Sequence, residues 1–198
     1  MKRNHSKYQA ITFGRVERNP VLTCEGTVIP TQDEMELLGV TIDNKLKFEG
    51  QIRKICREVS QQVAVLNRLK KLLPFELRLD IYRAFIVPHF NYCSESWHHC
   101  GKRGCAKLEK INERALRFVT CDKSTTYETL LKQLNLLSPL NQRIVKMATG
   151  VYKAIYGSLY KVPRGIGELL HERSTNYNLR GKHNYLRASQ SEYNYLWT

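Results

Sequence analysis

The sequence predicts an α+β fold, in which a small antiparallel β unit precedes a mostly helical bundle and an irregular tail. The main observation is a change of hydrophobic period near residue 49. Before it, apolar and polar residues alternate, as in the stretch 38–42, which is typical of a half-buried strand. After it, apolar residues recur at steps of three and four, which indicates amphipathic helices. The chain has 198 residues, enough to bury a core without disulfides.

The first fifty residues are predicted to hold about four strands. Segments 8–13, 21–24 and 27–29 have the composition of strands, and Glu25-Gly26 is typical of a hairpin turn. The alternating segment 38–42 supplies the fourth strand.

A long helix is predicted to follow from Glu49. Its apolar stripe consists of Ile52, Ile55, Val59, Val63, Leu66, Leu69 and Leu73. Pro74 breaks this helix and suits the first turn of the next one, which covers 77–85 and is ended by Pro88.

Four further elements are predicted after Pro88. The aromatic-rich segment 89–100 suggests a short helix, and Gly101 and Gly104 bracket a basic turn. Amphipathic spacing then predicts helices over 108–119 and 126–134. Ser138-Pro139 has the pattern of a cap and first-turn proline, and begins a last helix that Gly157 closes.

These elements divide the chain into three predicted domains. Residues 1–48 form the β unit and residues 49–160 form the helical domain. Residues 161–198 are rich in Tyr, Asn, Arg and Gly without sustained periodicity, so we expect an extended, weakly ordered tail.

Positive charge is concentrated in the helical part and the tail. The net charge is +14, yet residues 1–50 carry seven basic and seven acidic residues. Residues 51–121 carry fourteen basic and six acidic residues, and residues 122–198 carry eleven and five. This asymmetry predicts a polyanionic partner, nucleic acid first and an anionic membrane second, against the alternative of an ordinary solvated basic surface.

Cysteine usage indicates a reducing, intracellular setting, in either the nucleus or the cytoplasm. The six cysteines are accompanied by no secretory signal and no apolar run long enough to span a membrane. Cys93, His98, His99, Cys100 and Cys105 raise the alternative of a zinc site. No Cys-x-x-Cys pair is present, so we favour buried cysteines and predict no metal site.

The residue inventory argues against an independent enzyme. The four aspartates, Asp33, Asp43, Asp80 and Asp122, are widely spaced, whereas two-metal catalysis requires convergent carboxylates. No Gly-rich phosphate loop or Gly-x-Ser-x-Gly motif appears. Aromatic residues interleave with basic ones around 82–97 and 177–197, a pattern that can stack on bases. For Tyr82, Phe85 and Phe90 we favour a place in the core.

Five segments, taken in order, resemble one family. They are NHSKYQAITFG (4–14), LLGVTIDNKLKF (37–48), LLPFELRLDIYRAFIVPHFNYCSESW (72–97), KLEKINERALRFV (107–119) and VYKAIYG (151–157). Together they resemble the C-terminal half of a reverse transcriptase from a non-LTR (LINE-type, jockey-like) retrotransposon. The resemblance covers residues 4–160 and depends on the order and spacing of all five segments.

The resemblance implies a right-handed polymerase whose last palm strands lead to a primer grip and a helical thumb. Leu38, Gly39 and Val40 match the primer grip, and the helices over 51–119 match the thumb. Lys7 matches a lysine thought to assist proton transfer to the leaving pyrophosphate, which requires a complete palm. In the family, the catalytic Tyr-x-Asp-Asp motif and an earlier aspartate lie upstream of the position that Asn4 matches. The resemblance therefore implies a fragment without catalytic activity of its own, and Mg²⁺ bound by palm residues outside this chain.

The expected partner is an RNA or DNA primer-template, with the remaining polymerase half as a second partner and no membrane. Besides the primer-grip residues, the candidate contacts are basic residues of the predicted helices. They are Arg53, Lys54, Arg57, Lys70, Lys71, Lys102, Arg103 and Lys107. The alternative is a protein-interaction module or an inert pseudogene product. A sheet without its palm partner is also expected to expose an edge and favour self-association.

Overall fold

The computed structural model describes residues 8–14, 21–156, 171–172 and 186–187. The chain divides into two compact units, Met1–Val145 and Lys146–Thr198. The first unit contains two β-hairpins followed by helices, so the predicted α+β class is confirmed.

Each hairpin is a separate two-stranded antiparallel sheet. Strand β1 (Leu22–Cys24) pairs with β2 (Thr27–Ile29), as Glu25-Gly26 predicts. Strand β3 (Glu34–Leu37) pairs with β4 (Val40–Asp43). The predicted strand over 8–13 is wrong, because only Ala10 pairs there, in a single parallel bridge to Thr31. The Gln32 N–H donates to the Ala10 carbonyl oxygen at 2.8 Å. After Gln32 the backbone continues into β3, so segment 8–13 has no neighbouring strand of its own length.

The predicted strand over 38–42 is also wrong in its bounds. Leu38 and Gly39 form the two-residue turn between β3 and β4, with φ of 48° and 81°. Positive φ at both turn positions matches the right-handed twist of a hairpin. The alternating pattern did identify the core face, because Val40 is buried and Ile42 is half-buried. Leu38 fits the alternation in the sequence, but it does not join the core face, because the backbone turns at Leu38 and Gly39.

Helices occupy most of the rest of the described chain. They are α1 (Glu49–Leu69), α2 (Phe75–Ile81), a π-helical turn (Tyr82–Ile86), α3 (Val87–Asn91), α4 (Gly101–Thr120), α5 (Tyr127–Gln133) and α6 (Pro139–Tyr156). No helix among the described residues is long and apolar enough to cross a membrane.

Pro88 does not end a helix, contrary to the prediction. It lies in the first turn of α3, in a helical run that continues from Phe75 to Asn91. The π-helical turn makes this possible, because the N–H of Val87 reaches back five residues to the carbonyl of Tyr82. A proline directly after such a turn removes no regular α-helical hydrogen bond.

The region from 89 to 104 also differs from the prediction. The helix stops at Asn91, because Tyr92 is extended and Cys93 has a φ of 46°. Residues 92–99 are turns, and the predicted basic turn is instead the first turn of α4. Gly104 lies inside α4, where an added Cβ would be 3.1 Å from Cys100 Sγ and 3.5 Å from Ile52 Cγ1. The glycine therefore permits α4 to approach α1 closely.

The core lies between α1 and α4. It contains Ile52, Ile55, Val59 and Val63 from α1, Leu108, Ile111, Ala115 and Val119 from α4, and Tyr82, Ile86 and Phe90 from the segment between them. Tyr82 and Phe90 are thus core residues, as predicted. Phe85 is not, since 61% of it is exposed. The buried residues of this run are spaced by four, and Phe85 falls outside that row.

A chain of hydrogen bonds crosses this core. Tyr82 donates to Asn112 Oδ1 at 2.7 Å, and Asn112 Nδ2 donates to the Tyr127 hydroxyl at 2.9 Å. Tyr127 in turn donates to Glu109 Oε2 at 2.6 Å, and the Leu140 N–H at the start of α6 donates to Glu109 Oε1 at 3.0 Å. Burial raises the pKa of Tyr82 and of Tyr127 far above the usual value, so both hydroxyls remain donors. The network ties α4, α5 and α6 together.

The second unit includes one strand pair, β5 (His171–Glu172) with β6 (Leu186–Arg187), in antiparallel register. The predicted tail over 161–198 otherwise lies outside the described residues, as do its aromatic residues.

Candidate nucleic-acid interface

The tip of the β3–β4 hairpin is held by two side chains from the helical body. The Tyr92 hydroxyl donates to the Leu38 carbonyl oxygen at 2.7 Å. Lys54 Nζ donates to the Gly39 carbonyl oxygen at 3.1 Å. A Cβ at Gly39 would lie 3.6 Å from Tyr92 Cε1, in ordinary contact. The turn backbone therefore packs directly on the Tyr92 ring.

The strands of the hairpin are attached to α1 as well. The Thr41 N–H donates to Oε1 of the buried Gln51 at 2.9 Å. Lys54 also forms an ion pair with Glu36 at 2.8 Å. Because one helix contacts both strands, the hairpin has a defined orientation on the first unit.

Leu38 projects from this fixed backbone into solvent, with 82% of it exposed. A leucine with positive φ costs about 1–2 kcal/mol relative to glycine. The hairpin thus presents an apolar side chain at its tip in a conformation that the leucine itself disfavours.

The predicted basic contacts near the hairpin are not free. Lys54 is bound to Glu36 and to the Gly39 carbonyl, and Arg53 lies 3.7 Å from Glu34. A groove beside them is lined by Asp33, Glu34, Asp43, Asn44, Lys45, Lys47, Glu49 and Arg53. Its four carboxylates would repel phosphate, so the strongest positive potential is expected elsewhere.

A second group of cations lies along the α1–α4 contact. Ile52 of α1 lies close to Gly104 of α4. Further along both helices, Lys107 lies near Cys56, because burial raises the pKa of Cys56 and the charge of Lys107 lowers it. The two helices therefore run side by side in the same direction. Exposed cations flank this contact on both helices. We call them the α1–α4 basic strip: Arg53, Arg57, Arg103, Lys107, Lys110 and Arg114.

Most of the strip has no counter-charge. Apart from Arg53, no member forms a salt bridge with a carboxylate of the described chain. Arg57 on α1 and the four cations on α4 can therefore meet phosphates without first breaking a strong ion pair.

The structure does not bring every predicted contact to this strip. Lys70 and Lys71 follow the far end of α1, about 25 Å along the helix axis from Arg53. Lys102 is exposed, but five residues before Lys107 it faces a different side of α4. Lys7 lies outside the described residues.

Three residues of the site were missed from the sequence. Lys110 and Arg114 continue the spacing of Arg103 and Lys107 at steps of three and four, so a helical wheel of α4 would have found them. Tyr92 gave no such signal, because its partner Leu38 lies 54 residues earlier.

No three His, Cys, Asp or Glu side chains converge in the part of the chain that the structure describes.

Comparison with curated proteins finds sequence similarity to two transposon polymerases of Drosophila melanogaster. The chain is 24% identical over 116 residues to a protein described as "Probable RNA-directed DNA polymerase from transposon BS". It is 23% identical over 144 residues to "Probable RNA-directed DNA polymerase from transposon X-element". The chain is distantly similar to transposon reverse transcriptases.

These matches cover 57% and 70% of the chain but 13% and 16% of the two polymerases. The chain thus spans a small part of the length of these two polymerases. No known family profile matches it, and no solved structure matches it.

Proposed function

We propose that the chain is the part of a reverse transcriptase that follows the catalytic palm and grips primer-template nucleic acid. In this proposal the β3–β4 hairpin is a primer grip and the helices from α1 to α4 are a thumb. The distant similarity to transposon RNA-directed DNA polymerases supports the relation to a reverse transcriptase. The α1–α4 basic strip is the observation that carries the grip on nucleic acid.

The strip matches the dimensions of a nucleic-acid backbone. From Arg103 to Arg114 the α4 cations extend over about 16 Å, given a rise of about 1.5 Å per residue. One strand of a duplex presents about five phosphates over that length. Arginine can bind a phosphate through two parallel hydrogen bonds, so Arg57, Arg103 and Arg114 also fix its position.

The hairpin supplies a different kind of contact in this proposal. Its backbone is fixed by Tyr92 and Lys54, and Leu38 projects from the turn. An apolar side chain on a rigid turn can pack against a sugar or base without reading the sequence. A strained exposed leucine is the sort of feature that functional sites retain.

Polymerisation by this chain alone is not part of the proposal. None of its four aspartates is adjacent to another. Primer extension with Mg²⁺ is therefore expected to give no product above background.

Binding of the whole chain to an RNA–DNA hybrid duplex tests the proposal. Each phosphate contact should contribute about 0.7–0.9 to the slope of log affinity against log salt. The triple variant Arg57→Gln, Arg103→Gln, Lys107→Gln should lower that slope by about 2–3. The matched control, Arg83→Gln, Lys123→Gln, Lys132→Gln, changes the net charge equally away from the strip. An equal decrease of the slope in both variants would show that binding depends only on net charge, which would contradict the proposal.

A second candidate function is protein interaction, and exposed apolar residues near the end of α1 favour it. They are Val65, Leu69, Leu72, Phe75 and Leu77, with Leu72 being 79% exposed. In this alternative a second copy of the chain covers them. A chain that ignores hybrid duplexes but dimerises in sedimentation experiments, and becomes monomeric with Leu72→Ser, would support it.

A further inference from the structure

A fully buried arginine lies at the contact of α4 and the first turns of α6. Arg143 has no exposed surface, and its guanidinium carbon is 5.1 Å from the ring centroid of Trp97. Its Nη2 donates to Cys105 Sγ at 3.2 Å. The remaining groups, Nε and Nη1, have no hydrogen-bond partner among the described residues.

Among the described residues, this arginine has no carboxylate as a counter-charge, which a buried cation normally requires. Burying an unpaired charge is so costly that such groups are found paired or neutral, and arginine does not become neutral in proteins. No carboxylate forms a salt bridge with Arg143 among the described residues. The group that accepts its hydrogen bond among the described residues is the Cys105 sulfur.

A second thiol lies next to Cys105. Cys100 Sγ is 3.8 Å from Cys105 Sγ, and both cysteines are free. Cys105 is half-buried and Cys100 is buried, so a reagent from solvent meets Cys105 first. Burial, followed by the charge of the neighbouring sulfur, raises the pKa of Cys100, so this thiol keeps its proton at neutral pH.

We propose that Cys105 and Cys100 form a peroxide-sensitive dithiol in which Arg143 stabilises the attacking sulfur. The Cys105 thiolate attacks one oxygen of hydrogen peroxide, the O–O bond breaks, and hydroxide leaves, which gives a sulfenic acid. Cys100 then attacks that sulfur, and its proton and the sulfenic hydroxyl leave as water. In sum, one thiolate and one thiol are oxidised to a disulfide, while one peroxide is reduced to one hydroxide and one water.

The geometry permits the second step. The sulfurs must close from 3.8 Å to about 2.05 Å. Cys100 directly precedes α4, and Gly101, the first residue of α4, has a φ of 73°, which differs from the helical value. Oxidation also changes the sulfur that accepts the Arg143 hydrogen bond, so the contact between α4 and α6 is expected to weaken.

The test uses the whole reduced chain and equimolar hydrogen peroxide. Thiols are alkylated at intervals, and trypsin, which cleaves after Lys102 and Arg103, separates Cys100 from Cys105 for mass spectrometry. Cys105 should be oxidised on the order of tenfold faster than the exposed Cys121, because a neighbouring cation stabilises the attacking thiolate. The cross-linked product should join Cys105 to Cys100, and a Cys93→Ser variant shows that Cys93 is not its partner.

Two variants separate the roles. Arg143→Met removes the cation and should bring the oxidation rate of Cys105 down to that of Cys121, whereas the exposed Arg83→Met should leave the oxidation rate of Cys105 unchanged. Cys100→Ser should leave a sulfenic acid on Cys105 that dimedone traps, which tests the order of attack even if Arg143→Met fails to fold. Oxidation of Cys105 no faster than Cys121, or a disulfide joining other cysteines first, would overturn the proposal.

Discussion

The Tyr92 hydroxyl donates a 2.7 Å hydrogen bond to the carbonyl oxygen of Leu38, which joins the end of α3 to the tip of the β3–β4 hairpin. The two residues are 54 positions apart in the sequence. This bond fixes the turn on the helical body, and with it the direction in which Leu38 projects.

Replacing Tyr92 with phenylalanine should loosen the hairpin without unfolding the chain. The hydrogen bond lies at the surface, so we expect a loss of about 0.5 kcal/mol in the free energy of unfolding. Amide hydrogen exchange should become faster at Val40 and Thr41, while amides in the middle of α4 serve as the internal control. Unchanged exchange in the hairpin would show that Lys54 and Gln51 hold it without Tyr92.

Leu38→Asn separates stability from binding. Asparagine tolerates positive φ better than leucine, so the variant should be more stable by about 0.5–1 kcal/mol in urea unfolding. If Leu38 touches nucleic acid, affinity for a hybrid duplex should nevertheless fall by roughly fivefold, since partial burial of a leucine is worth about 1 kcal/mol.

Leu46→Asn is the matched control for that variant. Leu46 is also exposed and also has positive φ, at 53°, but it lies outside the hairpin turn. The Leu46→Asn variant should gain similar stability and keep its affinity for the hybrid duplex. Equal affinities of the two variants would remove Leu38 from the interface.

Asn112→Ala should be among the most destabilising substitutions in the helical body. It leaves the buried Tyr82 hydroxyl without its acceptor and opens a cavity, at a cost of about 3 kcal/mol. Tyr82→Phe removes the same hydrogen bond at a cost of about 1–2 kcal/mol. In a double-mutant cycle the combined loss should be smaller than the sum of the two losses. Additive losses would show that the two residues are not coupled.

His98 should make stability fall in mild acid. Burial lowers the pKa of His98 below its unfolded value of 6.5, and the charges of His99 and Arg143 lower it further. The unfolded chain therefore binds this proton more tightly than the folded chain does. The stability that neutral His98 contributes is complete above pH 6.5 and is lost as the pH falls.

Urea unfolding at several pH values between 5 and 7.5 measures this effect. His98→Gln should flatten the dependence of the unfolding free energy on pH, whereas the exposed His99→Gln should keep most of it. An identical slope in wild type and His98→Gln would assign the acid sensitivity to other groups.

Local patterns in the sequence were sufficient to predict several elements. The stripe from Ile52 to Val63 predicted α1 because its period matches one buried helix face, and Thr126 and Ser138 marked the starts of α5 and α6. The α+β class followed from the same change of period. Each of these signals acts within a few turns of one element.

The prediction failed where the decisive partner was distant. Segment 38–42 alternates like a strand, but pairing with β3 turned its first two residues into a hairpin tip. Gly104 resembles a turn residue, yet the approach of Ile52 makes it a helix residue. The distribution of basic residues predicted a polyanion-binding body, which stays a prediction, but could not show that Glu36 already binds Lys54.

By itself, therefore, the sequence determined the α+β class, where α1, α5 and α6 begin, where the charge lies along the chain and which family the chain resembles. Only the tertiary structure decided which cations stand together, which leucine projects from the turn and which sulfur lies beside Arg143. The reason is physical: periodicity and caps act over neighbouring residues, whereas ion pairs, turn anchors and buried charges depend on groups that meet only when the chain has packed.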